Sequence, residues 1–277
     1  MARANLDSTR VEARTPGLLT LHVVGRRQIS PSYVRVTLGG GDVADFVPLG
    51  YDQWFRLFLP VSDTSLARVP KKLTTLSYLK FLTVSKTERP VLRNYTVRAY
   101  RADGVDGPEI DVDFVVHGSA EDGTAGPAAS WAQSCNPGDA VALLDEGLCF
   151  NPAAGTSRVL IAADETGLPA VAGILASLDA TAVGHAVVEV PSDADRQDLE
   201  APAGIEVAWV VRDDPSAVPG QAALRAVEAL TLPDEPAYAW VVGESSLVAG
   251  ARRHWVQAGV PKENITFVGY WKAGKAH

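Results

Sequence analysis

The sequence has little of what metal and disulfide chemistry requires. Its 277 residues include only two cysteines. Cys135 and Cys149 form neither a Cys-x-x-Cys pair nor a metal-ligand set. We therefore expect reduced thiols, no metal site, no iron–sulfur cluster of the protein's own, and a cytoplasmic location.

Long apolar runs are also missing. The sequence has no run of about 18 uncharged apolar residues, the length that a membrane-spanning helix needs. The N-terminus carries charges at Arg3, Asp7 and Arg10 and lacks the apolar core of a signal peptide. We expect no stable membrane insertion.

An overall excess of positive charge is absent as well. The net charge is −8, which argues against general nucleic-acid binding. Residues 1–100 nevertheless hold 15 Lys/Arg and 7 Asp/Glu, whereas residues 101–277 hold 10 and 26. Much of the basic excess falls between Arg56 and Arg101. These basic residues either form a solvated face or attract an anionic cofactor or substrate.

The first half of the chain contains short segments rich in β-branched and aromatic residues, separated by turn residues. The predicted strands are Leu18–Val24, Tyr33–Leu38, Phe55–Leu59, Tyr95–Arg101, Glu109–Val116 and Ala140–Leu144. Short strands without a long helix predict a small antiparallel barrel. A helix within Leu66–Leu82 is a weaker prediction because of its threonines and Pro70.

The pattern changes after about residue 155, where apolar strands alternate with helices. The predicted strands are Val159–Ala163, His185–Val190, Ile205–Val211, Ala237–Val242 and Ile265–Gly269. The predicted helices are Leu168–Leu178, Ala217–Leu230 and Ser245–Ala258. This alternation predicts a parallel sheet covered on both faces. We expect an N-terminal antiparallel β-barrel in residues 1–155 and a C-terminal α/β parallel-sheet nucleotide-binding domain in residues 156–277.

The segment Arg93-Asn94-Tyr95-Thr96-Val97-Arg98 brings a guanidinium, an aromatic ring and a hydroxyl together on a predicted strand. A guanidinium holds phosphate oxygens through two parallel hydrogen bonds, and a tyrosine face can stack on a planar ring. Such a strand suits a flavin. The hexapeptide fits an ordinary exposed antiparallel strand equally well.

A second candidate is His117, followed by Gly126-Pro127-Ala128-Ala129-Ser130-Trp131-Ala132. Pro127 is typical of a first helical turn, where free backbone N–H groups bind phosphate oxygens. The alternative is an ordinary helix start with Trp131 in the core.

Three further candidates follow predicted parallel strands, at whose carboxyl ends ligands bind in open sheets. They are Asp164-Glu165-Thr166-Gly167-Leu168-Pro169, Gly243-Glu244 and Gly269-Tyr270-Trp271-Lys272. The Gly-x-Gly-x-x-Gly fingerprint of dinucleotide-binding folds is absent. A capped helix start and surface packing of the aromatic pair are the alternatives.

Together these segments resemble the siderophore-interacting proteins, FAD-containing ferric-siderophore reductases of the ferredoxin–NADP reductase-like superfamily. The resemblance covers nearly the whole chain and is carried by Tyr33–Val43, Arg89–Arg98, Val112–Gly118, Gly126–Ala132, Ala163–Thr166, Val242–Glu244 and Gly269–Lys272. The Arg-x-Tyr-Thr strand, the Asp-Glu-Thr turn and the terminal Gly-Tyr-Trp occur in a specific order.

The resemblance implies a role for each candidate residue. The flavin would be bound by Arg93, Tyr95, Thr96 and His117. Its pyrophosphate and adenine would be wrapped by Gly126, Ala128, Ser130 and Trp131. The nicotinamide nucleotide would be bound by Asp164, Glu165, Thr166, Gly243 and Glu244. Trp271 would cover the open edge of the flavin, and the siderophore would be bound by Arg56 and Lys272. Two departures leave the siderophore open: Ala129 and Ser130 stand where relatives often carry a basic residue, and Lys272 replaces the commoner arginine.

The implied function is FAD-dependent reduction of a ferric siderophore with electrons from NADH or NADPH. One-electron reduction releases iron, because hard oxygen ligands hold Fe(III) far more tightly than Fe(II). Three aspartates and one arginine in Asp193–Asp198 favour NADH, since anions repel a 2′-phosphate. A ferredoxin is an alternative donor. A general flavin or quinone reductase and a non-catalytic siderophore-binding protein are the competing functions.

Overall fold

The computed structural model describes residues 10–118, 121, 123–214, 217–232 and 235–274. The charged N-terminal residues Arg3 and Asp7 lie outside them. The chain divides into two compact units. The β-unit is Glu12–Leu49 and Gln53–Gly147, and the α/β-unit is the described part of Met1–Val11, Gly50–Asp52 and Leu148–His277. The predicted domain boundary after residue 155 stays a prediction.

The β-unit is built on a seven-stranded antiparallel sheet in the order β4-β3-β7-β1-β2-β6-β5. Its strands are β1 Leu18–Ser30, β2 Tyr33–Gly39, β3 Trp54–Leu59, β4 Val91–Thr96, β5 Ala99–Gly104, β6 Gly107–Val115 and β7 Ala140–Asp145. Alternate residues such as Val34, Val36 and Leu38 point into one apolar core. The antiparallel β-domain that the sequence predicts is confirmed.

One predicted strand is wrong, because Tyr95–Arg101 is two strands rather than one. The backbone N–H of Val97 donates to the Gln53 carbonyl at 2.9 Å, and that of Arg98 donates to the Asp111 carbonyl on β6 at 2.9 Å. The chain therefore leaves its pairing with β3 and continues as β5 on β6. This crossing curls the sheet, so that the two ends of its strand order approach each other.

The described part of the β-unit also contains two short α-helices. They are α1 Thr75–Leu82 and α2 Pro127–Ser134. Thr74 and Ser77 form a capping box at the start of α1, with Thr74 N–H donating to Ser77 Oγ at 2.8 Å and Ser77 N–H donating to Thr74 Oγ1 at 3.2 Å. The helix predicted within Leu66–Leu82 thus exists, but only in its last eight residues.

The α/β-unit has a five-stranded parallel sheet in the order β10-β9-β8-β11-β12. Its elements are β8 Arg158–Ala163, α3 Leu168–Ser177, β9 Val183–Val190, β10 Gly204–Val211, α4 Gln221–Ala229, β11 Tyr238–Glu244, α5 Ser245–Gln257 and β12 Ile265–Trp271. Successive residues of β11 are all buried, so both faces of the sheet are covered. The predicted two-domain fold class is confirmed.

No described helix is both long and apolar enough to cross a membrane.

Candidate functional site

Strand β4 positions the three residues of the Arg-x-Tyr-Thr segment within the β-unit. Arg93 is half-buried, and its Nη1 donates to the Leu92 carbonyl at 2.8 Å. Thr96, three residues later, is buried at the end of the strand. Tyr95 is half-buried, and its ring centroid lies 4.3 Å from that of Phe114. Burial raises the pKa of the Tyr95 phenol, against a smaller opposing effect of the Arg93 charge.

Helix α2 packs beside β4 through a line of aromatic rings. Phe114 contacts Tyr95 on one side and Trp131 on the other, with the Phe114 and Trp131 centroids 5.7 Å apart. Trp131 is half-buried and packs against the apolar core of the β-unit. The Arg-x-Tyr-Thr strand and the Gly-Pro-Ala helix, 30 residues apart in sequence, therefore lie side by side.

The N-terminus of α2 has no side-chain cap. Gly126 occupies the N-cap position and Pro127 the first helical position. Neither has a side chain that can accept from the first-turn N–H groups, which lack intrahelical acceptors. The Ala128 side chain is buried in the core, so its backbone N–H is the group left to bind a ligand. The Ser130 hydroxyl donates to the Ala125 carbonyl at 3.2 Å.

Two other predicted residues of the β-unit have different surroundings. His117 is exposed just after β6. Arg56 on β3 forms an ion pair with Glu146, with 2.8 Å between Nε and Oε1. The pair neutralises part of the positive charge that the sequence assigned to substrate binding.

In the α/β-unit, the fully buried Asp164 joins three strand ends. Its Oδ1 accepts from the Thr166 backbone N–H at 2.9 Å and from the Thr166 hydroxyl at 2.5 Å. Its Oδ2 accepts from the Glu244 N–H at 2.7 Å and from the Trp271 indole N–H at 3.1 Å. Four of the predicted residues thus converge at the carboxyl ends of β8, β11 and β12. Burial raises the pKa of Asp164 to about 7, and the Glu165 carboxylate adds to the rise.

Gly243 is required by this convergence. A Cβ at this position would lie 2.6 Å from the Asp164 carboxyl group, closer than side chains pack. Its φ of 122° is also one that residues with a side chain rarely adopt. The glycine therefore lets β11 approach Asp164 closely enough for the neighbouring N–H to bond.

Glu244 fixes the segment after β12. Its Oε2 accepts from the Ser246 N–H and hydroxyl, and its Oε1 accepts from the Ala273 N–H at 3.1 Å. Burial alone would raise the pKa of Glu244, but these hydrogen bonds hold it below the usual value. Lys272, between two anchored residues, is exposed.

Glu165 has a partner that sequence reasoning missed. Both of its carboxylate oxygens accept from Arg212, at 2.7 and 3.0 Å, and all three side chains of the Glu165–Arg212–Glu189 set are buried. Arg212 also bonds Glu189 at 3.0 Å. A ribose hydroxyl would have to compete with this ion pair for Glu165. The sequence does carry a signal for the pairing of Arg212 with Glu189. These two charged residues stand at the carboxyl ends of the consecutive apolar strands β9 and β10.

The two units offer different chemistry to a ligand. The β-unit offers the guanidinium of Arg93 on β4 and the first-turn N–H groups of the neighbouring helix α2, donor types that fit the pyrophosphate of a dinucleotide cofactor such as FAD. The carboxyl edge of the parallel sheet presents hydroxyl and backbone groups around Gly243, as a nucleotide site requires. Among the described residues, no group of three His, Cys, Asp or Glu side chains is arranged to hold a metal ion.

Comparison with known proteins assigns both units to one family. Residues 22–148 match the siderophore-interacting FAD-binding domain, and residues 156–274 match the siderophore-interacting protein model. Ferric vibriobactin reductase ViuB of Vibrio cholerae is 30% identical over 271 residues, covering 97% of this chain and 93% of the relative. The chain belongs to the siderophore-interacting protein family. The resemblance noted in the sequence is confirmed.

Other relatives agree with this assignment. The NADPH-dependent ferric-chelate reductase of Escherichia coli is 25% identical, covering 91% of this chain and 92% of the relative. The crystal structure of a siderophore utilization protein from T. fusca superposes with a TM-score of 0.75 at 29% identity, covering 96% of this chain and 97% of that one. As a siderophore-interacting protein, the chain shares its two-unit architecture with solved members of the family.

The buried Arg212 should be essential to stability. Replacing it by Met leaves two buried carboxylates without their cation, and breaking a buried pair in this way costs about 3–5 kcal/mol. Urea unfolding of Arg212→Met measures the loss. Arg225→Met, which removes an exposed arginine from α4, is the control and should change stability by less than about 0.5 kcal/mol. Equal stability of both variants would contradict the assignment.

The raised pKa of Asp164 predicts a pH dependence. The folded protein holds the Asp164 proton up to about pH 7, whereas the unfolded chain loses it near the ordinary aspartate pKa of 3.8. The stability that this group contributes is therefore complete below about pH 4 and is lost as the pH rises towards 7, with a slope of up to about 1.4 kcal/mol per pH unit. The unfolding free energy of the wild type minus that of Asp164→Asn should show this decline. A flat difference would contradict it.

Proposed function

We propose that this siderophore-interacting protein reduces ferric siderophores, with FAD as cofactor and a nicotinamide dinucleotide as electron donor. The observation that carries the proposal is the packing of the Arg-x-Tyr-Thr strand, through Phe114, against α2, a helix whose N-cap residue makes no side-chain cap, inside the residues that match the FAD-binding domain. The similarity to ferric vibriobactin reductase over nearly the full length of both chains supports the substrate class.

Cofactor binding is assigned to the β-unit. Arg93 and the first-turn N–H groups of α2 would hold the phosphates, because a guanidinium and the N–H groups of a first helical turn are both donors suited to phosphate oxygens. Tyr95 would meet the flavin ring with a neutral phenol, since burial raises its pKa. Thr96 and His117 complete the predicted set. Held by these residues, FAD would supply the electron-transfer chemistry, since a flavin can accept two electrons from a nicotinamide and pass them on singly, as reduction of Fe(III) requires.

Donor binding is assigned to the carboxyl edge of the α/β-unit. Thr166 and Gly243 lie together there because both contact Asp164. We propose NADH as the preferred donor, since Asp193 and Asp198 are exposed on the segment where a 2′-phosphate would lie. The charge of Arg196 is partly neutralised by Asp193, with 2.9 Å between Nη2 and Oδ1. The E. coli relative that uses NADPH makes this a point to measure, and a ferredoxin remains an alternative donor to assay.

Substrate binding is assigned to the exposed Lys272 and to Arg56. Arg56 keeps only part of its charge because of Glu146. The backbone on both sides of Lys272 is fixed, since the Trp271 indole N–H donates to Asp164 and the Ala273 N–H donates to Glu244. A fixed backbone presents the ammonium group at a constant place for an anionic ferric complex. A cytoplasmic location stays a prediction.

Arg93→Gln should weaken FAD binding about ten- to hundredfold, because a charge-assisted hydrogen bond contributes about 1.5–3 kcal/mol. Flavin absorption after reconstitution and gel filtration measures the affinity. Arg27→Gln, which changes an exposed arginine on β1, is the matched control and should bind FAD as the wild type does. A wild-type protein that takes up no FAD would leave a siderophore-binding protein as the function.

Lys272→Glu should raise the KM for an anionic ferric catecholate complex several-fold while leaving the KM for NADH unchanged. Iron release is followed with a ferrous chelator, with NADH and NADPH compared as donors. Lys262→Glu, a reversal of another exposed lysine in the α/β-unit, is the control. Faster turnover of free flavin or quinone than of the ferric complex would instead identify a general flavin reductase.

A further inference from the structure

Helix α1 presents an apolar face to solvent. Five of the seven large apolar side chains exposed in the described part of the chain lie between Val61 and Leu82. Leu76 is 79% exposed, Leu79 is 56% exposed and Leu82 is 43% exposed, and Tyr78 lies beside them. At about 100° per residue, the three leucines fall within an arc of about 120°. These four side chains form the outer face of α1.

The opposite side of α1 is anchored. Phe81 is buried and meets Phe58 edge-on with ring centroids 5.8 Å apart, in a cluster with Val69 and Ala142. The helix therefore cannot turn its leucines inwards without withdrawing Phe81 from the β-unit. The exposure of the outer face is a consequence of how the helix is seated.

The chain around α1 is basic. Residues 64–87 contain five Lys/Arg and no Asp or Glu, in a protein of net charge −8. Lys71, Lys72, Lys80 and Lys86 are exposed and form no ion pair with any described residue. Lys80 lies on the helix at the edge of the leucine arc, and Lys71 and Lys72 precede its N-cap.

We propose that the outer face of α1 and the lysines around it dock the protein on an anionic lipid bilayer. Apolar residues on one side of a surface helix with lysines at its margins are typical of helices that lie in the membrane interface. Lysines suit this position because their stems follow the apolar surface while the ammonium groups reach the lipid phosphates.

Charge decides between a bilayer and a second copy of the chain. Two copies meeting through α1 would bring eight lysines together, and like charges in contact oppose association. With only eight residues in α1, the docking is expected to be weak, reversible and dependent on salt.

Flotation of the full chain with lipid vesicles tests the proposal. Binding is expected to vesicles of equal parts phosphatidylglycerol and phosphatidylcholine, and not to phosphatidylcholine alone. The triple variant Leu76→Gln, Leu79→Gln, Leu82→Gln should lower the partition coefficient more than tenfold. Val105→Gln, at an exposed apolar residue between β5 and β6, is the matched control.

Charge variants provide an independent arm should the triple variant not fold. Each of Lys71→Gln, Lys72→Gln and Lys80→Gln should lower the partition coefficient up to about fivefold, and Lys262→Gln should not. Raising salt from about 0.1 M to about 1 M, which shortens the Debye length from about 10 to about 3 Å, should release the protein.

The proposal is overturned if the wild type does not float with anionic vesicles, or if the triple leucine variant binds them as well as the wild type does. It is also overturned if sedimentation shows a dimer that the leucine variant dissociates, which would make α1 an interface between copies. Binding to an acidic protein in place of vesicles would overturn it likewise. Because no turnover is measured, failure here leaves the reductase proposal unaffected.

Discussion

The carboxyl edge of the parallel sheet depends on one buried carboxylate. Asp164 accepts four hydrogen bonds. Two come from Thr166, which is two residues away in the sequence, one from Glu244, which is 80 residues away, and one from Trp271, which is 107 residues away. A fully buried carboxyl group is costly unless hydrogen-bonded, so each of these donors is needed where it is. The glycine at 243, the turn at Thr166 and the orientation of the Trp271 indole all follow from satisfying Asp164.

The two units solve the same problem, that of unsatisfied polar groups, in opposite ways. In the α/β-unit, Glu165 and Glu189 share Arg212, and Glu244 is fully engaged by backbone and hydroxyl donors. At the start of α2 in the β-unit, by contrast, the N-cap residue Gly126 makes no side-chain cap. A helix end left without a cap costs stability unless water or a ligand supplies the acceptors. The satisfied groups build the scaffold of the α/β-unit.

The fold was predictable from the sequence because its signals are local. Apolar runs alternating with helices gave the parallel sheet from β8 to β12, and turn residues delimited most strands of the β-unit. The break after Thr96 was not predictable, since Val97 and Arg98 keep strand-like residues and change only their hydrogen-bonding partners. The same limit applies to the site. Asp164, Gly243 and Trp271 could be expected at one edge from strand order, but the pairing of Glu165 with Arg212 depends on a contact 47 residues distant.

The sign of the net charge says little about which surface meets a ligand. Many acidic side chains of residues 101–277 are buried in the protein. Asp164, Glu165, Glu189 and Glu244 are buried and hydrogen-bonded. Asp111 and Asp113 are likewise buried, and Asp113 pairs with the largely buried Arg35 of the basic half. The charged side chains that remain exposed and unpaired are therefore confined to smaller parts of the surface than the total charges indicate. In the basic half, the lysines around α1 are one such remainder, and they surround the most exposed leucines of the β-unit. Charge becomes informative about partners only after the buried pairs have been subtracted.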